Sequence, residues 1–169
     1  MTVYESPDDG RLRRPAPSVP FQIALIEPEI PQNTGNVGRI CVGTTSTLHL
    51  VGKLGFQIDE KAVRRAGLDY WHMVDLRRHE DINSFEQAVP PHKWKVFCSF
   101  ATQSYLDARY EPGDVLVFGK ESVGLPREFV KQHEERAYGI PMCGPIRSLN
   151  LANAVSVVLY EALRQTGAI

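Results

Sequence analysis

The sequence predicts an α/β domain built on a mostly parallel sheet flanked by helices. Three observations predict it. Short apolar runs of strand length alternate along the chain with stretches of helical periodicity, and Gly-, Pro- or Asn-bearing turns punctuate the changes. A third observation is size. The 169 residues, 43% hydrophobic and 23% charged, suit one domain. A chain of that length buries roughly two-thirds of its unfolded surface.

The elements follow in order. Phe21 to Ile26 reads as a buried strand, then a Pro-rich turn runs from Glu27 to Pro31. Asn33 to Gly43 reads as a helix capped by Asn33, with Val37, Ile40 and Cys41 on one face. Leu48 to Val51 is a second strand. Asp59 to Ala66 is a short helix stopped by Gly67, and Met73 to Leu76 a short strand. Asn83 to Ala88 is a helix ended by Pro90 and Pro91. Val96 to Phe100 and Val115 to Phe118 are strands. Pro126 to His133 is a helix with proline in its first turn, and Tyr138 to Ile140 a last strand. Leu149 to Gln165 is the longest helix, with Ser148 as its expected cap. That helix is apolar nearly all round. It is therefore either a central core helix or one whose outer side meets a partner subunit.

Residues 1–20 hold no apolar signal-peptide core, and their Pro, Asp and Arg content predicts a flexible tail ahead of a domain over 21–169. No apolar stretch approaches the roughly 20 residues of a membrane span. The net charge of -1 excludes a globally basic nucleic-acid binder but leaves room for a local basic patch. Cys41, Cys98 and Cys143 form no CxxC pair and their odd number closes no disulfide framework, so reduced thiols are expected. The five histidines are scattered without HExxH, and no metal is expected.

Three segments carry chemistry. In Pro31-Gln-Asn-Thr-Gly-Asn-Val-Gly-Arg39, Asn33, Asn36 and Arg39 recur every three residues along one side of a helix start. They form either a polar site or a capped, solvated helix. In Phe118-Gly-Lys-Glu-Ser-Val-Gly-Leu-Pro126, a strand ends in glycines around Glu121. Such glycines let a ligand approach the backbone, or simply make a tight turn. The segment is neither the dinucleotide nor the P-loop fingerprint. In Ile140-Pro-Met-Cys-Gly-Pro-Ile-Arg-Ser-Leu-Asn-Leu-Ala-Asn153, polar Ser148, Asn150 and Asn153 open the apolar helix. If buried they need partners, either the protein's own loops or a ligand. In open sheets ligands bind beyond the carboxyl ends of strands, where all three segments fall.

Together, and in this order, the segments resemble the SPOUT superfamily of RNA methyltransferases. Its motifs N-x-G-N-x-x-R, F-G-x-E-x-x-G-L and I-P-M…S-L-N-x-x-N-A appear at Asn33 to Arg39, Phe118 to Leu125 and Ile140 to Ala154. The chain looks most like the small tRNA (cytidine/uridine-34)-2′-O-methyltransferases. It shares with them E-P-E-I-P-x-N-T-G-N at Glu27 to Asn36, R-R-A-G-L-D-Y at Arg64 to Tyr70 and S-x-N-x-x-N-A-V-S-V-V-x-Y-E-A at Ser148 to Ala162. The resemblance covers residues 21 to 166.

It implies a C-terminal deep trefoil knot, which connection rules alone would reject. It also implies methyl transfer from S-adenosylmethionine (SAM) to the ribose 2′-hydroxyl of the wobble nucleotide of tRNA, leucine isoacceptors included. Carried onto this sequence, the SAM positions are Phe97, Gly119, Glu121, Gly124, Ile140, Met142, Ser148, Leu149 and Asn153. Arg39 is the catalytic candidate, with Asn33 and Asn36 shaping its site and Asn150 a further binding candidate. A cytoplasmic homodimer through the last helix is implied, Tyr160 lying at the interface or in the core. For tRNA, Arg64 and Arg65 with Lys61 supply charge; Arg77 and Arg78 are a contact or a solvated face. Tyr70 and Trp71 either stack an exposed base or sit in the core. Arg11, Arg13 and Arg14 of the tail touch RNA or are solvated. The alternatives are another tRNA or ribosomal RNA ribose as substrate, and a SAM- or RNA-binding dimer without turnover. A small-substrate metabolic enzyme is disfavoured by the missing fingerprints.

Overall fold

Buried, mostly apolar residues in unbroken runs form the inner strands of a sheet covered on both faces. The computed structural model describes residues 10–56 and 69–169. Its strands are β1 (Gln22–Ile26), β2 (Thr47–Val51), β3 (Leu76–His79), β4 (Trp94–Phe97), β5 (Gln103–Ser104), β6 (Val115–Phe118) and β7 (Ala137–Gly139). They pair in the order β3-β2-β1-β6-β4-β7-β5, and every strand pairing is parallel. The helices are α1 (Pro31–Thr44), α2 (Ile82–Ala88), α3 (Arg127–Gln132) and α4 (Leu151–Gln165).

Period-two alternation divides the core. Ile23 and Leu25 of β1 face a cluster with Val37 and Cys41 of α1 and Val155, Val158 and Leu159 of α4. Ala24 and Ile26 face the opposite cluster, with Phe85 of α2, Trp94, Val117 and Val130 of α3. Each fully buried Val, Leu, Ile or Phe side chain among them contributes about 1.5–3 kcal/mol. In register, Leu25 lies beside Phe118, Phe118 beside Phe97, and Phe97 beside Tyr138. The carboxyl ends of β1, β6, β4 and β7 therefore open onto one edge.

Several boundaries differ from expectation. Helix α1 starts at Pro31, whose ring presets the first helical turn. Asn33 is thus inside the helix, and the capping position is Ile30, which has no side-chain cap of its own. The cap of α4 is Asn150, not Ser148: its Oδ1 accepts from the N–H of Ala152 and of Asn153. Around Met73 there is a 3₁₀ turn (Trp71–Met73), and the strand starts only at Leu76, where its backbone meets β2. Strand β4 ends at Phe97, leaving Cys98 outside it and Ser99 and Phe100 in a turn. The last strand is Ala137–Gly139, so Ile140 lies beyond it. β5, only two residues long, gives no sequence pattern to find. The helix expected at Asp59 to Ala66, with Gly67, lies outside the described residues. Residues 11–20 are without helix or strand.

Candidate functional site

Four connections meet at the carboxyl edge: those after β1, β4, β6 and β7. Two are stitched together by charge. The Glu121 carboxylate, from the loop after β6, accepts from the backbone N–H of Glu29 (2.8 Å) and of Ile30 (3.1 Å). It thereby takes up the N–H groups at the opening of α1 that no local side chain caps, and places negative charge at the positive end of the helix. The Glu29 carboxylate returns the contact, accepting from the N–H and the hydroxyl of Ser122 (2.9 and 3.0 Å). Those Ser122 bonds, the hydroxyl first, hold the Glu29 carboxyl below its ordinary range. Glu27 stands at φ 49, left-handed for a non-glycine residue. Its side chain binds the Lys120 ammonium at 2.7 Å, which holds the Lys120 pKa above the ordinary value.

The third connection joins through asparagines. Asn33 Nδ2 donates to Glu121 (3.0 Å), and Asn33 Oδ1 accepts from Asn150 Nδ2 (2.9 Å). Because Asn150 Oδ1 caps α4, one chain of bonds runs from the start of α1 through Glu121, Asn33 and Asn150 to the start of α4. Arg147 adds a link, donating from Nη2 to the Ser122 carbonyl at 2.8 Å.

Between these connections lies a hollow of about 230 Å³. Phe97 and Phe118, stacked 5.0 Å apart, stand at its floor with Tyr138. Gly119 is indispensable to its shape: a Cβ there would lie 2.3 Å from the backbone of Gly124 and Leu125. Apolar walls with a few fixed polar groups suit a heteroaromatic ring carrying polar substituents.

Of the residues expected from the sequence, Asn33, Phe97, Gly119, Glu121, Gly124, Ile140, Ser148, Leu149 and Asn150 line the hollow. Met142 and Asn153 do not. Met142 is half-buried, and Asn153 points outward from the first turn of α4. The lining residues Ser99, Phe100 and Arg147 escaped sequence reasoning. The first two were absorbed into an overlong strand, and Arg147 read as a loop residue beside Ser148.

Asn36 and Arg39 are exposed on α1 and lie outside the hollow. The Arg39 guanidinium sits over the Tyr70 ring, 5.4 Å from its centroid. Tyr70 is 8% exposed, and its hydroxyl donates to the Gly35 carbonyl at 2.9 Å. Stacking of an exposed base on Tyr70 therefore does not fit: the ring is buried and already faces a cation. Arg64, Arg65 and Lys61 lie outside the described residues. Arg77 and Arg78 are exposed on the edge strand β3. Among the described residues no group of three or more His, Cys, Asp or Glu could hold a metal ion, and no helix is long and apolar enough to cross a membrane.

Comparison with known proteins bears on the same segments. The SpoU rRNA Methylase family profile matches residues 20–160. An Escherichia coli K12 protein named tRNA (cytidine(34)-2'-O)-methyltransferase is 44% identical over 148 residues, 87% of this chain and 94% of its own length. A solved structure described as structural insights into the 2-OH methylation of C/U34 on tRNA superposes with a TM-score of 0.80 at 44% identity, covering 88% of this chain and 97% of that one. The AdoMet-bound rRNA methyltransferase of Sinorhizobium meliloti superposes with a TM-score of 0.74 at 25% identity, covering 88% of this chain and 58% of its own.

Proposed function

This chain belongs to the SpoU rRNA Methylase family, and from that premise we propose how it works as a SAM-dependent tRNA (cytidine(34)-2′-O)-methyltransferase. It methylates the ribose 2′-hydroxyl of cytidine or uridine 34 of tRNA, with leucine isoacceptors as the proposed substrates. The observation that carries the reading is the convergence of the connections after β1, β6 and β7 around one apolar-walled hollow.

The residues present fit SAM. Phe97, Ile140 and Leu149 offer apolar walls for adenine, and Gly119, packed without a Cβ against Gly124 and Leu125, lines the hollow with its backbone. Gly124, Glu121 and Ser148 complete this set, with Met142 and Asn153 at its periphery. When bound, SAM supplies an electrophilic methyl group on a sulfonium. The chain's own part is alignment, since an in-line displacement gains chiefly from fixed geometry. Asn33 has both amide ends occupied by Glu121 and Asn150, so its role is to hold the connections in place. Asn36, exposed on the same helix, faces the RNA side.

Arg39 is the proposed catalytic residue. A guanidinium keeps its proton, so it orients the ribose hydroxyl and neutralises the neighbouring phosphate, while the hydroxyl proton departs to the RNA phosphate or water. Arg39 lies outside the hollow of its own chain, which supports a homodimer in which it completes the partner's site; the cytoplasm is the proposed place of action. The outer side of α4, where Tyr160 is 51% exposed, is the proposed interface. The trefoil knot is proposed for residues beyond β7. Its support is that residues 141–150 pass the loop after β6, touching it through Arg147, before α4 packs on α1. Arg64 and Arg65 are the proposed tRNA contacts, and residues 1–20 a tail to the domain over 21–169.

The test is Arg39→Ala with SAM affinity by calorimetry and single-turnover methylation read by nucleoside mass spectrometry. SAM binding is expected to persist while the rate falls at least about a hundredfold. An unchanged rate removes Arg39 from catalysis. Absence of 2′-O-methyl at position 34 from wild-type reactions defeats the functional reading.

A further inference from the structure

The strip of chain just before β3 lies against α1 where Arg39 emerges. The Tyr70 hydroxyl donates to the Gly35 carbonyl, the same carbonyl to which helical geometry directs the Arg39 backbone N–H. One residue on, Trp71 lies over Gly38, so closely that a Cβ on Gly38 would stand 2.6 Å from Trp71 Cζ3. Tyr70 and Trp71 thus grip three positions within one turn of α1: Gly35, Gly38 and Arg39. The Arg39 side chain leaves that turn over the face of the Tyr70 ring, at 5.4 Å.

We propose that Tyr70 is a positioning residue for methyl transfer, holding the Arg39 guanidinium in one direction off α1. This rests on the reading of Arg39 given above. An arginine side chain has many rotamers, and ordering it for each turnover lowers the rate. A buried ring fixed at its hydroxyl end offers an immobile face to one of those rotamers and attracts the cation. Among the described residues no carboxylate pairs with this guanidinium. Its charge stays available for a phosphate, as an ion pair would not allow. Burial, opposed in part by the Arg39 charge, keeps the phenol pKa above its ordinary value, so the hydroxyl remains a donor to Gly35.

The experiment measures single-turnover methylation in Y70F, Y70L, R39A and R39A/Y70L, with SAM affinity for each. Y70L is expected to lose about fivefold in rate at unchanged SAM affinity. Y70F, which keeps the ring but loses the bond to Gly35, falls between wild type and Y70L. In the R39A background, Y70L costs nothing further. Equal losses from Y70L in both backgrounds, or none in either while R39A is impaired, overturn the proposal. A wild-type rate in R39A instead fails the Arg39 reading itself, so the two failures are distinct. Should Y70L lose SAM binding, relaxation of the Arg39 Nε–H in the wild-type protein decides. An ordered Nε–H supports the proposal, and one as mobile as in a free arginine overturns it.

Discussion

Glu121 shows how one lining side chain can also hold the frame of a site together. Its carboxylate accepts two backbone N–H groups and the Asn33 amide, and so fixes where α1 begins. In Glu121→Gln one oxygen becomes an amide that faces donors instead of accepting from them. Bonds to a charged acceptor are worth about 1.5–3 kcal/mol, so the variant should lose about 2 kcal/mol of stability in urea unfolding. An unaltered midpoint would show that the carboxylate is not needed there. Asn33 is legible in the same way only in three dimensions. Its identity stood out in the sequence, but its partners, Glu121 and Asn150, are far along the chain, and no local pattern reveals them.

Among elements, the connection after β6 is the most constrained. Gly119 faces backbone at 2.3 Å, and backbone cannot rotate away as a flexible side chain would. Gly119→Ala should therefore abolish measurable SAM binding in calorimetry while the variant stays folded by circular dichroism; retained affinity would show that the loop can shift. Element existence was largely readable from the sequence, because runs such as Val115 to Phe118 are strand-long, apolar and bounded by turns. Element ends were not. Cys98 and Phe100 prolong the run with only Ser99 between them, and the Cys98 N–H still donates to Tyr138 of β7, yet no residue beyond Phe97 has a partner in either neighbouring strand, and loss of pairing is what ends a strand. Likewise Ser148 has the chemistry of a cap, but Asn150 occupies the position whose side chain reaches the free N–H groups. The convergence of Phe118 to Gly124 with Asn33 followed from strand order, which periodicity does not contain.

At the scale of the molecule, a polar rung crosses three strands inside the sheet. Gln22 Nε2 donates to the Gly113 carbonyl, so its Oε1 accepts from His49 Nε2 at 2.9 Å, and His49 Nδ1 accepts from His79 Nε2 at 2.8 Å. His49 is fully buried, and burial first, then His79 and Arg77, push its pKa down to about 4. His79 is lowered in the same direction, by burial and Arg77. The unfolded chain takes up protons below its ordinary histidine range, near pH 6.5, while folded His49 resists until about pH 4. Stability should thus be flat above pH 6.5 and fall as pH drops towards 4, by on the order of 3 kcal/mol for His49. Urea unfolding at stepped pH measures this, and His49→Gln should flatten the slope; an equal slope in the variant would place the proton uptake elsewhere. The order of the sheet has a consequence for biosynthesis. β6 is the middle strand, between β1 and β4, although it lies late in the chain. As the polypeptide leaves the ribosome, β1 and β2 emerge with one flank of hydrogen-bonding groups unfilled, and that flank stays open until residues 115–118 arrive. Whatever part of the sheet forms early in synthesis therefore has a seam that only a late stretch of the same chain can close.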